Sequence, residues 1–272
     1  MFLSFVLRGT KDAPLSMVRA NAATAENSMT LRWIGVVLVR SAMLPTASVQ
    51  RTRKLCYHLS MVKGTRLLEG EEARRFIALT NMYREIALGH GYNEIILPAL
   101  SEQEPFIQKA GPEILSQMWT FEDKGGRPTC LIPEATAVVQ RIYKEQWNSR
   151  PKPVKVFYLT RCYRYERPQA GRYREFWQFG VEWLGPKKDG DKEDVIQTLQ
   201  DMMFWTQGID QMVFKESVKR GLDYYIEDGF EMEVPYLGAQ KQVAGGGRYA
   251  DGIGFAIGVD RIMLAQDLND KK

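Results

Sequence analysis

Two alternating stretches on either side of an arginine-rich loop constrain the fold of this chain more than any other feature. Residues 154–162 and 176–184 show the period-two alternation of β-strands, and we predict that they pair as antiparallel neighbours. The fold should therefore contain a sheet with positive charge concentrated at one turn. Five arginines lie within fourteen residues there, interleaved with aromatic side chains: Arg161, Arg164, Arg167, Arg172 and Arg174.

Helices and further strands are predicted on both sides of this pair. Apolar residues at three- and four-residue spacing, such as Phe76, Leu79 and Tyr83, predict a helix over residues 71–88. Strands joined by hairpins, with helices around them, indicate an α+β domain with an antiparallel sheet. The other predicted helices are 135–147, 191–205 and 262–268, and the other predicted strands are 93–98, 118–121, 129–132, 230–234 and 241–244.

The first sixty residues differ in composition from the remainder. They hold eight lysines and arginines against two acidic residues, and they are rich in serine, threonine and alanine, as organelle transit peptides are. Two interpretations stay open: a targeting segment, or sequence upstream of a second start at Met61. We predict that residues 1–60 are disordered and that residues 61–272 form the domain. We expect a cytoplasmic protein, or a mitochondrial one if the segment is a transit peptide. The apolar run 34–39 is too short to cross a bilayer, so no membrane partner is expected.

The supply of cysteine and histidine limits the possible chemistry. Three scattered cysteines predict neither a disulfide framework nor a cysteine-based metal site. With only His58 and His90 present, histidine metal sites and serine–histidine–aspartate catalysis are disfavoured, and no protein-bound metal is predicted. Carboxylates, arginines, tyrosines and backbone groups must do the chemistry. Residues 61–272 carry a slight net negative charge, which argues against a generally basic nucleic-acid-binding surface.

The outgoing stretch of the hairpin predicts a ligand site. Alternation places Phe176, Gln178, Gly180 and Glu182 on one face, next to the loop arginines. Arginine matches phosphate oxygens in a bidentate manner, and aromatic rings stack on bases. The alternative is a solvated hairpin held by salt bridges. The polar alternation within an aromatic strand favours the ligand site.

Residues 161–182 resemble motif 2 of the class II aminoacyl-tRNA synthetases, and residues 166–176 resemble the histidyl-tRNA synthetases in particular. The resemblance implies a mixed, mainly antiparallel sheet flanked by helices, with ATP and Mg²⁺ as cofactors. It implies that Arg164 contacts the α-phosphate, that Glu166 faces the adenine amino group and that Phe176 stacks on the adenine. Arg172 and Arg174 would contact the outer phosphates or the tRNA acceptor end.

Residues 220–225 resemble a histidine-specific signature of the same family. The resemblance implies that Arg220 binds the carboxylate and α-phosphate of the forming adenylate. Tyr225 would contact the substrate side chain, with Tyr224 beside it. Taken alone, this short polar and aromatic segment favours a structural role.

Two glycine-rich segments follow. Residues 244–249 predict only a loop by themselves, but they resemble the second histidine signature, which implies that Gly245 and Gly247 line the amino-acid site. Residues 254–261 resemble motif 3. That resemblance places Arg261 at the start of the last helix, where it would clamp the γ-phosphate.

Residues 133–137 contain a carboxylate and a hydroxyl at a predicted helix start, which commonly indicates capping. The resemblance implies instead that Glu134 and Thr136 receive the substrate α-amino group, with Gln178 and Glu182 completing the amino-acid site. The chain departs from the family pattern at Ile132, where an arginine is expected, and at Ala135, where a glycine is expected.

The helix and strand that end at Pro98 resemble motif 1, which implies a homodimer. The interval between Glu182 and Arg220 is shorter than in the family, and the chain stops soon after motif 3, so we expect neither an insertion domain nor an anticodon-binding domain. Three functions stay open: charging of tRNA(His) with histidine through weak contact with the acceptor end, adenylate transfer to another acceptor, and a regulatory subunit of histidine biosynthesis.

Overall fold

A computed structural model of the chain describes residues 61–218, 226–238 and 240–271. Five helices occur there: α1 (Gly70–Gly89), α2 (Glu104–Ala110), α3 (Thr136–Ile142), α4 (Asp191–Trp205) and α5 (Val259–Asn269). Ten strands accompany them: β1 (Asn93–Glu94), β2 (Leu100–Glu102), β3 (Trp119–Glu122), β4 (Pro128–Leu131), β5 (Val154–Tyr163), β6 (Glu175–Leu184), β7 (Val213–Val218), β8 (Gly229–Glu233), β9 (Gln242–Tyr249) and β10 (Gly252–Gly258).

Seven strands form the main sheet in the order β1-β5-β6-β10-β9-β8-β7, and β2-β4-β3 form a smaller one. Only β1 and β5 run parallel, and every other pair is antiparallel. The predicted α+β class with a mixed, mainly antiparallel sheet is therefore confirmed. The predicted hairpin forms β5 and β6, the second and third strands of the main sheet, which pair over ten residues each.

The two faces of the main sheet carry two apolar cores. Phe157 and Phe179 point toward α1, α4 and α5, where their rings stack 5.5 Å apart. Tyr158 and Ile132 belong to the second core, which includes α3 and the small sheet. Alternation along β5 separates the two cores, because adjacent residues face opposite sides. No helix in these described ranges is both long and apolar enough to cross a membrane.

Helix α4 has the predicted bounds, and α1 extends the prediction by one residue at each end. The helix predicted over residues 135–147 is α3 followed by a π-helical turn, Tyr143–Trp147. Helix α5 begins three residues before the predicted 262, because Gly258 in extended conformation ends β10 there. The prediction missed β2, β7, β10 and α2.

Two predictions for the main sheet were wrong, one of a strand and one of a loop. Only Asn93 and Glu94 of the predicted strand 93–98 pair with β5, and Ile96 beyond them is 93% exposed. The glycine run at 244–249, predicted as a loop, belongs to β9. Glycine suits the strand here because a Cβ on Gly246 would lie 2.3 Å from the carbonyl oxygen of Gly254 on β10. The close pairing of β9 and β10 therefore depends on a missing side chain.

Candidate active site

A cavity of about 610 Å³ lies where the β5–β6 loop, the ends of β9 and β10 and the first turn of α5 meet. It brings together most of the site residues predicted from the sequence. Those that line it are Glu134, Thr136, Arg164, Glu166, Arg172, Phe176, Gln178, Gly245 and Arg261.

Arg261 lies at one end of this cavity, in the first turn of α5. Its Nε donates to the backbone oxygen of Gln242 at 2.6 Å, and its Nη2 donates to that of Gln240. In the part of the chain that the structure describes, no carboxylate pairs with it. Burial and the nearby positive charge of Arg172 lower the pKa of Arg261. A bound phosphate would stabilise the charged form of Arg261, because it places a negative charge beside the two guanidinium groups.

Phe176 and Glu166 lie near a second cation of the cavity, Arg164. The Arg164 guanidinium lies 5.3 Å from the centre of the Phe176 ring, and its Nε donates to the oxygen of Pro133 at 3.0 Å. Glu166 lies 3.8 Å from Arg172 as an ion pair. A flat ring, a carboxylate and arginines in one cavity fit a purine base joined to phosphates.

The residues predicted to receive an amino group lie at the start of α3. Glu134 Oε1 accepts a hydrogen bond from the backbone N of Ala137 at 2.8 Å, so it caps the helix as well as lining the cavity. Thr136 is buried and its hydroxyl lies 3.5 Å from that of Tyr158. Gln178 Oε1 accepts from the backbone N of Ala135 at 3.2 Å. The two departures from the family pattern, Ile132 and Ala135, do not line the cavity, because both side chains are fully buried in the second core.

Glu182 does not line the cavity, although its position was predicted within the amino-acid site. It is fully buried, and its Oε2 accepts a hydrogen bond from the Tyr249 hydroxyl at 2.6 Å. The Tyr158 hydroxyl donates to Oε1 at 3.4 Å. Burial and then the charge of Glu182 raise the pKa of Tyr158, so this phenol stays protonated. Gly254 packs directly on the carboxyl group, where a Cβ would lie 2.0 Å from Oε2.

Glu182 and Gly247 are the two predicted site residues that the structure describes outside the cavity lining. Gly247 pairs with Gly254 beside Glu182 and does not line the cavity. Arg220, Tyr224 and Tyr225 lie outside the described residues. Tyr158 and Tyr249 were missed, since tyrosines in strands are common in cores and nothing local marks them as partners of Glu182.

The hairpin, the cavity at its turn, and the arginine in the first turn of the last helix together define the catalytic core of a class II aminoacyl-tRNA synthetase. The model of the histidyl-tRNA synthetase family matches residues 64–215. The chain belongs to that family.

Relatives and solved structures agree with this assignment. A histidine–tRNA ligase of Archaeoglobus fulgidus is 30% identical over 306 residues, which cover 75% of each chain. One from Methanosarcina acetivorans is 40% identical over 67% of this chain, which spans only 45% of that relative's length. The apo histidyl-tRNA synthetase of Staphylococcus aureus superposes with a TM-score of 0.64 at 26% identity, covering 77% of this chain and 70% of that one.

A Bacillus halodurans protein described as an ATP phosphoribosyltransferase regulatory subunit/histidyl-tRNA synthetase gives a TM-score of 0.65 at 16% identity, covering 78% of this chain and 84% of its own. At that identity the likeness concerns the fold alone.

Proposed function

We propose that this chain activates histidine with ATP, forming histidyl-adenylate and pyrophosphate, and transfers the histidyl group to tRNA(His). The observation that carries the proposal is the half-buried Arg261, which backbone carbonyl groups hold near Arg172 in the wall of the cavity. Two cations placed in this way need an anion between them, and the outer phosphates of ATP supply it.

The proposed chemistry requires no general base. The histidine carboxylate is already a nucleophile and attacks the α-phosphorus of ATP. A carboxyl oxygen–phosphorus bond forms while the bond from the α-phosphorus to the bridging oxygen breaks, and that oxygen leaves with pyrophosphate. Arg164, together with Arg220, would neutralise the charge that develops on the α-phosphate oxygens, as fixed cations in a site shielded from water do.

Mg²⁺ fits this proposal as an ion that enters with the nucleotide. The described residues contain no cluster of three acidic, histidine or cysteine side chains that could hold a metal by themselves. Mg²⁺ bound to nucleotides keeps much of its water and takes its other ligands mainly from phosphate oxygens.

Histidine-dependent exchange between ATP and labelled pyrophosphate tests the activation step. We expect exchange with histidine in preference to each of the other nineteen amino acids, and its loss in Arg220→Ala. Arg74→Gln is the matched control, because Arg74 is a well exposed arginine paired with Glu71 on α1. Absence of exchange in a chain that binds histidine would favour a regulatory role and contradict the proposal.

The transfer step is tested by charging tRNA(His) and a minihelix made of its acceptor stem alone. We propose that tRNA contacts are confined to the acceptor end, through Arg167 and Arg174 of the loop beside the phosphate-binding Arg172, so both RNAs should be charged comparably. The logarithm of the RNA association constant should fall with the logarithm of the salt concentration by about 0.9 per phosphate contact. Since few phosphates are contacted, the total slope should be small. Activation without charging of either RNA would indicate a different acceptor.

We also propose a homodimer. In the segment that resembles motif 1, Tyr83 is buried within the subunit and bonds to Thr206 at 3.0 Å, whereas Ile96 is 93% exposed. Leu100 and Phe121 of the small sheet are large apolar residues that stay exposed as well. Large exposed apolar residues favour a second subunit as their cover.

A further inference from the structure

The segment that precedes α1 contacts the wall of the cavity formed by the β5–β6 loop. We call residues 62–66 the N-terminal strap. It turns where the backbone N and the hydroxyl of Thr65 donate to Val62 O, at 3.0 and 2.8 Å. Its Gly64 oxygen then accepts a hydrogen bond from the backbone N of Arg174 at 2.7 Å. The strap is thus bonded to the loop that carries Arg172.

Gly64 allows the strap to lie flat on this loop. Its φ is +90°, and a Cβ would lie 2.8 Å from Arg174 Cγ and 2.9 Å from Pro168 Cγ. Both the backbone conformation and the lack of space exclude a larger residue without displacement. The loop and the strap therefore hold a fixed distance from each other.

Arg66, the last residue of the strap, reaches the other wall of the cavity. Its Nε and Nη2 donate to Asp260 Oδ1 at 3.0 and 2.6 Å, and its Nη1 pairs with Glu72. The same guanidinium lies 4.8 Å from the centre of the Tyr173 ring. One side chain therefore contacts Asp260, which precedes Arg261, and Tyr173, which follows Arg172.

Asp260 makes this connection rigid. It is buried, and its second oxygen accepts a hydrogen bond from the backbone N of Trp177 on β6 at 2.6 Å. The Asp260 carboxylate raises the pKa of Arg66, although burial, the largest single influence, acts to lower it. Arg66 therefore stays charged, and its planar group fixes the direction of each bond.

We propose that Arg66 is a positioning residue that sets the separation between Arg172 and Arg261, and thereby fits the site to the outer phosphates of the nucleotide. This inference rests on the proposed function only in that the cavity binds ATP. It predicts a defect limited to ligands that carry outer phosphates. A purely structural role would weaken all ligands alike.

Isothermal titration of the full chain with MgATP, AMP and histidine tests the proposal. We expect Arg66→Gln to weaken ATP about tenfold or more, the loss typical of a charge-assisted hydrogen bond. AMP and histidine should change less than about twofold. Arg66→Lys keeps the charge but not the planar fork, and should be intermediate. Arg75→Gln is the matched control, because Arg75 ties α1 to α5 through Asp267 at 2.7 Å, away from the cavity.

A second variant guards against misfolding of the first. Gly64→Ala should displace the strap from the loop and cause the same selective loss of ATP affinity. Unchanged ATP affinity in both variants, or a parallel loss of all three ligands, would overturn the role of Arg66. A wild-type chain that binds ATP but shows no pyrophosphate exchange would refute the proposed function instead, and the binding comparison would still decide the role of Arg66.

Discussion

Tyr249 donates a hydrogen bond to Glu182 at 2.6 Å, and both side chains are shut off from solvent. They come from β9 and β6, on either side of β10, and Gly254 of that strand leaves the space in which they meet. The Glu182 carboxyl group is thus held by two tyrosine hydroxyls and does not line the cavity.

We expect Tyr249→Phe to lower the free energy of unfolding by about 1.5–3 kcal/mol, the range for a hydrogen bond to a charged group. Tyr83→Phe is the matched control, because the buried Tyr83 hydroxyl bonds to the neutral Thr206 at 3.0 Å. That variant should lose only about 0.5–1.5 kcal/mol. Urea unfolding of both variants measures the difference, and equal losses would contradict a stronger hydrogen bond to Glu182 than to Thr206.

The two arginines of the cavity should give different kinetic defects in pyrophosphate exchange. Arg164→Gln should lower kcat by about a hundred- to thousand-fold, because this cation stabilises charge that develops in the transition state. Arg261→Gln should mainly raise the KM for ATP, because the γ-phosphate is bound equally before and during the reaction. The same defect in both variants would mean that the assigned phosphates are wrong.

The buried pair Arg248–Asp191 should be essential for stability and not for chemistry. Both side chains are nearly fully buried. Arg248→Met should cost about 3–5 kcal/mol, because it leaves an uncompensated buried carboxylate. Combining it with Asp191→Asn should recover part of that loss. Denaturant unfolding of the wild type, the two single variants and the double variant gives the coupling free energy between the two side chains. Strictly additive losses would show that the two groups do not interact.

Two described thiols should resist alkylation in the native chain. Burial raises the pKa of Cys130 to about 11, and burial also raises the pKa of Cys162. Since the thiolate is the reactive form, iodoacetamide at pH 8 should modify neither until the chain unfolds. The control is the chain in urea, with peptide mapping by mass spectrometry.

The same thiols give the pH dependence of stability a definite sign. In the unfolded chain a cysteine ionises near pH 9, below its folded pKa. Their contribution is complete below pH 9 and is lost as the pH rises toward 11, so the free energy of unfolding should fall over that interval. Cys130→Ala should reduce this slope, and an unchanged slope would assign it to other groups.

The apolar surface at Ile96 should be part of the subunit interface. We expect light scattering to give about twice the 31.2 kDa of one chain. Ile96→Glu should shift this value toward the monomer, because it places a charge in an apolar contact. Phe204→Ser is the control, since Phe204 is exposed on α4. A monomeric wild-type chain would remove the proposal.

Local patterns were sufficient to predict α1, α4 and the β5–β6 pair. In each of them the periodic stretch is long, and the apolar residues that it places on one face are the ones buried in the core. The strand formed by residues 244–249 could not be predicted in the same way. Glycine has no side chain to alternate, and β9 exists because β10 lies close enough to pair with it. The paired partner, and not the local sequence, determines this strand.

The same reasoning explains which site residues were found. Arg164, Phe176 and Gln178 are neighbours on one hairpin, so alternation alone brings them together. The burial of Glu182 depends on Tyr158 and Tyr249, which belong to strands on either side. Arg66 gave no signal, because its partners are defined only by the folded arrangement.

The bond between Arg66 and Asp260 joins residues that are 194 positions apart. Contacts of such long range form late, because the entropy cost of closing a large loop comes before the contact can stabilise the chain. A growing chain can complete α1 and the β5–β6 hairpin while it still lacks α5, and at that stage its phosphate site lacks Arg261 and the bond from Arg66 to Asp260. Stabilisation of the domain by bound ATP therefore reaches its full extent only once α5 has joined the sheet.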